Sequence, residues 1–388
     1  MIYLDNAATT PVLPAALEAA WPFLTGEYGN PSSTHELGHR ASGALTDARA
    51  RVARWLDCKA SEVVFTSGGT EGDNLAVIGL ALANPRGKHL ISARTEHEAV
   101  LQSIDYLERV HGFEISWLPL AGDGSINLDD LRRVLRPDTT LVTLMLANNE
   151  IGTHHPLRQI ADIAHEVGAL VHTDAVQAPG WYDCRISTLG VDALTISGHK
   201  LGAPKGSGAV YVRGRLAVEP LLHGGGQERE RRSGTENVAW AIALATALQA
   251  LPPEPAAEAV RMSALRDAFI EEVRESIRPS SLTGEAIESR NGQASQRHPA
   301  IASFVFPGVN GETLLLALEA RGIVVSSGSA CAAGSDDPSH VLVACGYDDE
   351  TSRTSVRFSF AHSTSEKDLR HAALMLREAY QSVRTSCG

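Results

Sequence analysis

Val191-Asp192-Ala193-Leu194-Thr195-Ile196-Ser197-Gly198-His199-Lys200 is the stretch on which the fold turns. A β-leaning apolar run that stops on small and polar residues reads as a strand opening into a loop. In an open α/β sheet, ligands sit in loops outside the carboxyl ends of the strands. A lysine there, flanked by a hydroxyl, a glycine and an imidazole, can hold an anionic cofactor and form a Schiff base. Most lysines are merely solvated, so the assignment depends on what the rest of the chain places beside this one.

Outward from this stretch, strand and helix patterns alternate. Strands are expected at Val63–Thr66, Lys88–Ser92, Thr140–Leu146, Leu170–Thr173 and Ala209–Val212, with helices at Asp73–Leu82, Val100–His111 and Leu157–Val167 between them. Such alternation predicts an α/β fold with a mainly parallel sheet covered on both faces. Nearer the N-terminus, a short strand at Ile2–Leu4 precedes a helix from Pro14, and a second helix runs to Leu56. The Gly29-Asn30-Pro31-Ser32-Ser33 loop supplies a hydroxyl suited to cap that second helix.

Leu251-Pro252-Pro253-Glu254-Pro255 is the clearest breaker and marks a domain boundary. Beyond it, Met262, Leu265, Phe269, Val273 and Ile277 form the stripe of a long packed helix. Residues Thr283 to His298 are polar and read as a surface excursion. Further strands at Ala302–Phe306, Ile323–Val325 and Ser355–Phe360, with helices at Glu312–Ala320 and Ser365–Val383, predict a smaller α/β domain.

The chain has 388 residues and a net charge of 34 − 46 = −12, which argues against nonspecific binding to nucleic acid or an anionic membrane. The longest apolar stretch, Ala239–Leu251, falls short of the roughly 18–20 residues a membrane span needs. With no signal-like N-terminal segment, the expected location is the cytoplasm. Five widely spaced cysteines without a Cys-x-x-Cys pair indicate neither a disulfide framework nor a metal site.

Five other constellations carry chemistry. Thr66-Ser67-Gly68-Gly69-Thr70-Glu71 is a strand, a glycine turn and a helix start, the arrangement that presents backbone N–H groups to a phosphate. Asp174 closes an apolar strand, where a carboxylate needs a cation, and Gln177 follows it. His97 stands after the Leu90–Ile91 strand, placed to stack on a planar group and move protons. Asn148-Asn149 and Arg357 can hold a carboxylate. Finally, Ser326-Ser327-Gly328-Ser329-Ala330-Cys331-Ala332-Ala333-Gly334-Ser335 presents one thiol on a loop too poor in bulk to bury it. Each motif has a bland alternative: a tight turn, a strand-end cap, a structural histidine, a surface ion pair.

Taken in order, the motifs resemble those of the cysteine desulfurases, in the class V aminotransferase group of fold-type I pyridoxal-phosphate enzymes. The resemblance extends from Tyr3-Leu4-Asp5-Asn6-Ala7-Ala8-Thr9-Thr10, through Asn148-Asn149-Glu150-Ile151-Gly152 and Ser197-Gly198-His199-Lys200, to His223-Gly224-Gly225-Gly226-Gln227-Glu228-Arg229 and Arg232-Ser233-Gly234-Thr235. It implies a large domain over 14–251 with a seven-stranded sheet. Residues 1–13 with 256–388 would form the small domain carrying the cysteine loop.

It also implies roles. Lys200 would bind pyridoxal 5'-phosphate covalently, Asp174 would pair with its ring nitrogen, Gln177 with its ring oxygen, and His97 would stack on the ring. Gly69, Thr70, Ser197 and His199 would hold the phosphate, joined by Thr235 from the other subunit of a homodimer. Asn149 and Arg357 would grip the carboxylate of L-cysteine, and Cys331 would accept its sulfur as a persulfide for delivery to an acceptor protein. Gly72 stands where the family commonly has serine, and Phe360-Ala361-His362 replaces a common Leu-Gly-Arg. The chain stops soon after its last helix, at Cys387-Gly388, whereas relatives that dock an iron–sulfur scaffold carry a longer tail. Iron–sulfur clusters, tRNA thiolation and DNA sulfur modification all stay open as destinations of the sulfur. Selenocysteine lyase, an aminotransferase of the same fold and a non-enzymatic sulfur-pathway scaffold are the competing readings.

Overall fold

The computed structural model describes residues 1–84, 86–287, 297–327 and 337–386. After a short strand β1 (Ile2–Tyr3), seven strands make the central sheet: β2 (Val63–Thr66), β3 (His89–Ser92), β4 (Glu114–Trp117), β5 (Thr139–Thr143), β6 (Leu170–Asp174), β7 (Ala193–Ser197) and β8 (Gly208–Val212). Their order is β2-β8-β7-β6-β5-β3-β4. From β7 to β4 neighbours run parallel, and β8 is antiparallel to both β7 and β2. Two reversals cancel, so β2 ends at the same edge as β3, β5, β6 and β7.

Strand pleating sorts side chains onto two faces, because successive residues point opposite ways. Leu194, Ile196, Ala209, Tyr211, Ile91 and Val142 join the core under the helices Pro14–Thr25, Glu36–Leu56, Leu157–Glu166 and Val238–Ala250. Their neighbours Ala193, Val210, Val212, Leu90 and Leu141 join the core under Gly69–Ala83 and Glu98–His111. Both faces are dry, which is why the strands read as nearly unbroken apolar runs.

A further core lies in the C-terminal part. Strands β9 (Ser281–Leu282), β10 (Ile301–Val305) and β12 (Ser355–Ser359) form an antiparallel sheet in the order β12-β10-β9, and β11 (Ile323–Val324) pairs in parallel with β1. The helices Pro255–Ser276, Gly311–Glu319 and Glu366–Ser386 belong to this part. Leu4 is buried in the same core, so the N-terminal arm packs with the C-terminal residues.

Three expectations need correction. Helix Glu36–Leu56 is capped by His35, whose ring accepts from the Gly38 amide at 3.2 Å, and not by a hydroxyl of the preceding loop. The polar stretch around 283–298 is not a surface excursion at its described ends. Thr283, Arg297 and His298 are buried, and the Arg297 guanidinium donates to the Ile151 carbonyl at 2.8 Å. The Arg297 and His298 side chains are satisfied internally by backbone carbonyls, which composition alone does not reveal. Edge strand β4 and the helix Leu128–Val134 were also not anticipated; β4 is short and half-exposed, so its pattern is weak. No helix among the described residues is long and apolar enough to cross a membrane.

Candidate active site

The carboxyl edge of the central sheet opens onto a cleft of about 260 Å³. Its walls come from the turns that follow the strands. Gly69 and Thr70 follow β2, His97 follows β3, Asn149 follows β5, Asp174 and Gln177 close β6, and Ser197, His199 and Lys200 close β7. Arg357 reaches in from β12 of the C-terminal sheet. Register explains part of the convergence: Asp174 pairs with Thr195 on β7, and Ser197 pairs with Gly208 on β8.

The glycine turn after β2 lets the backbone come close. A Cβ at Gly69 would stand 3.0 Å from Val176 Cγ2 and 3.4 Å from Ser197 Cβ. Helix Gly69–Ala83 therefore begins directly at the cleft, with its unpaired N–H groups and positive dipole end there, a natural seat for an anion. Gly72 also matters to packing, since a Cβ there would lie 2.6 Å from Thr195 Cγ2 and 2.8 Å from Val210 Cγ2. His199 packs beside this edge with Nδ1 3.2 Å from the Thr9 hydroxyl. Burial, with the charges of Lys200 and Lys205, lowers its pKa to about 4, so its ring is neutral near pH 7.

At the floor, Asp174 is buried and accepts from the Val176 amide at 2.8 Å. Burial raises its pKa, while His97, the Val176 N–H and Lys200 act in the opposite sense. His97 caps helix Glu98–His111, its Nδ1 accepting from the Ala99 amide at 3.1 Å. That bond assigns Nδ1 as the acceptor and fixes the plane of the ring. Lys200 Nζ donates to the carbonyls of Ala7 and Ala8 at 2.5 and 2.8 Å, tying the lysine to the N-terminal arm. Gln177 donates to the same Ala7 carbonyl at 2.9 Å.

The two neighbouring amides after β5 do different work. Asn148 is structural: it donates to the Thr95 carbonyl and accepts from the Glu150 and Ile151 amides. Asn149 lines the cleft, and its carbonyl accepts from Arg357 Nη1 at 2.9 Å. Arg357 Nη2 donates to Asp5 at 2.8 Å, while its buried Nε has no partner among the described residues.

One expected residue is placed outside this cleft, and one cannot be placed. Thr235 lines a different cavity of its own chain, about 250 Å³, with Thr66, Ser67 and Trp240. Cys331 lies outside the described residues. The backbone before it is paired at Ser326 with Arg357, and the segment after it is held where the Ser339 hydroxyl donates to Glu150 at 2.5 Å.

Sequence reading missed Asp73, a buried acid that lines the cleft, the buried Glu96 that acts on it, and Asp5, the carboxylate beside Arg357. Asp73 follows Gly69 by four residues on one helix, so helical spacing puts it on the turn's own face. That signal was available and resembles an ordinary acidic helix start.

A mainly parallel, doubly covered sheet with a lysine, an acid and a histidine at strand ends of one edge defines the class: the chain belongs to the aminotransferase class-V family, whose model matches residues 2–371. Within it, the similarity points to one group. Cysteine desulfurase IscS of Dictyoglomus turgidum is 43% identical over 385 residues, covering 99% of this chain and 95% of that protein. A solved NifS-like protein superposes with a TM-score of 0.88 at 33% identity, over 98% of this chain and 99% of its own. A structure described as SspA in complex with cysteine gives a TM-score of 0.78 at 34% identity, over 93% of this chain and 99% of its own.

Proposed function

We propose that this enzyme is a cysteine desulfurase that removes sulfur from L-cysteine, releases L-alanine and carries the sulfur as a persulfide on Cys331. The convergence of Lys200, buried Asp174 and His97 on one cleft, with Arg357 at its side, is the observation that carries this reading. The residues fit pyridoxal 5'-phosphate as resident cofactor. A glycine-built helix start, where a Cβ at Gly69 would crowd Val176, suits its phosphate, and a buried acid suits its protonated ring nitrogen. Gly69, Thr70, Ser197 and His199 would hold the phosphate, Asp174 the ring nitrogen, Gln177 the ring oxygen and His97 the ring face. When bound, the cofactor supplies an electron sink for charge developing on the substrate.

The chain's own groups do the rest. Lys200 Nζ anchors the cofactor, takes the proton from the substrate α-carbon and gives it back. Asn149 and Arg357 orient the substrate through its carboxylate. The substrate takes the proton from Cys331, because only the thiolate is nucleophilic. Cys331 Sγ then bonds to the substrate sulfur. The carbon–sulfur bond breaks with its electron pair left on carbon, and protonation there completes alanine.

We further read the protein as a homodimer in which Thr235 completes the neighbouring subunit's phosphate site. Its position away from the Lys200 cleft of its own chain supports this. The two sets of cores are read as a large domain over 14–251 and a small domain of 1–13 with 256–388. Cys58, Cys184 and Cys345 carry free thiols, in keeping with a cytoplasmic location. A sulfur-acceptor protein takes the persulfide. To test the reaction, alanine and sulfide formation from L-cysteine are measured in the native chain and in Cys331→Ser. The variant is expected to keep the visible absorption of bound cofactor and to lose at least ~100-fold in sulfide release. Undiminished release would refute the persulfide route.

A further inference from the structure

The floor of the cleft holds more acid than the proposed chemistry uses. Asp73, on helix Gly69–Ala83, is 1% exposed, and Glu96 is fully buried. Asp73 Oδ1 and Glu96 Oε2 have no hydrogen-bond partner among the described residues, although the other Glu96 oxygen accepts from the Met145 amide at 2.8 Å. Single side-chain atoms of Asp73, Asp174 and His97 all lie within 4.8 Å of one another. Few buried polar atoms in a folded protein are left unpaired, so two at one spot need a reason.

The groups facing Asp73 come from every element around it. Strand β6 contributes Asp174 and His172, whose Nε2 is 3.6 Å from Asp73 Oδ1. The loop after β3 contributes Glu96 and His97, and β7 contributes the Thr195 hydroxyl. Lys200 stands beyond Asp174 and acts on it. His172 gives no cation, since burial lowers its pKa to about 3 and both ring nitrogens meet threonine hydroxyls. Three carboxylates packed this closely, away from water, cannot all be charged. The available cation, Lys200, favours charge on Asp174. Burial and then the Asp174 charge push the Asp73 carboxyl well above the usual carboxylate range. Glu96 is shifted the same way by burial.

We propose that Asp73 is a positioning residue that stays an undissociated acid beside Asp174, so that the floor carries its negative charge on Asp174 alone. An ionised Asp73 would split the attraction for a ring nitrogen between two sites and repel Asp174. A protonated one presents a donor instead. The inference rests on the pyridoxal reading, and it makes an unusual demand: the uncharged amide of Asn should serve almost as well as the native acid.

The test uses the full chain with Asp73→Asn and Asp73→Ala. Affinity for pyridoxal 5'-phosphate is read by visible absorbance, and thermal unfolding of the cofactor-free chain is followed, both from about pH 6 to about pH 9. Asp73→Asn is expected to bind within ~threefold of the native chain and Asp73→Ala at least ~tenfold more weakly. A group whose pKa is raised by folding stabilises below its unfolded value, and that stability is lost as pH rises through the raised value. The cofactor-free native chain should therefore lose more stability toward high pH than Asp73→Asn does. The proposal is overturned if Asp73→Asn binds as weakly as Asp73→Ala, if Asp73→Ala binds like the native chain, or if native and Asn chains show the same pH profile. Should none of the chains take up cofactor, the pyridoxal reading fails, and the cofactor-free profiles still decide the protonation of Asp73.

Discussion

Two deeply buried regions of this molecule are built to opposite rules. In the C-terminal core, Phe269, Phe304, Phe306, Phe358 and Phe360, five of the chain's eight phenylalanines, are at most 2% exposed. Their ring centroids lie 5.0–6.3 Å apart, mostly edge to face. Each of these five rings gains transfer free energy and contact, and none has a polar atom to satisfy. At the carboxyl edge of the central sheet, buried positions hold Asp73, Glu96, His172 and Asp174, two of them with an oxygen unpaired among the described residues. Those groups lose hydration and regain only part of it. The difference shows which buried residues serve stability and which are retained at a cost for the site they surround.

That contrast can be broken from either side. The largest effect is expected at Phe269→Ala, which opens a cavity where four rings meet or approach. Urea unfolding should show a loss of about 3–5 kcal/mol, with cofactor affinity of the folded protein unchanged. A loss below about 1 kcal/mol would mean the ring cluster is not the keystone of that core. Arg357→Lys tests the polar side. The guanidinium spans Asp5, the Asn149 carbonyl and the cleft, which a single ammonium cannot reproduce. The KM for L-cysteine should rise about tenfold or more, or ~1.4 kcal/mol, with stability far less affected than by Phe269→Ala. An unaltered KM would remove Arg357 from substrate binding.

Much of this arrangement was legible in the sequence where function interrupts an apolar strand. Lys200, Asp174 and His97 each follow a run whose burial was evident, so a polar residue at its end stood out. Asp73 and Glu96 did not stand out, because each lies among other polar residues, in Thr70-Glu71-Gly72-Asp73-Asn74 and Thr95-Glu96-His97. Local sequence cannot distinguish Glu71, which pairs with Arg232 at 2.8 Å, from Asp73, which is sealed under the sheet edge. Tertiary packing decides that. Arg297 and His298 escaped for the same reason: their carbonyl partners at Ile151 and Gln177 are more than a hundred residues away in sequence. Strand β4 was hidden by its edge position, since Glu114 faces solvent and breaks the apolar signal.

The account centres on Lys200 as the residue that anchors the cofactor at the meeting of strand ends. Borohydride reduction of the purified protein, followed by peptide mass mapping, tests it most directly. The account predicts a pyridoxyl group fixed to the peptide carrying Lys200, with loss of the visible absorption. A pyridoxyl group on another lysine, or none in a protein loaded with pyridoxal 5'-phosphate, would contradict it.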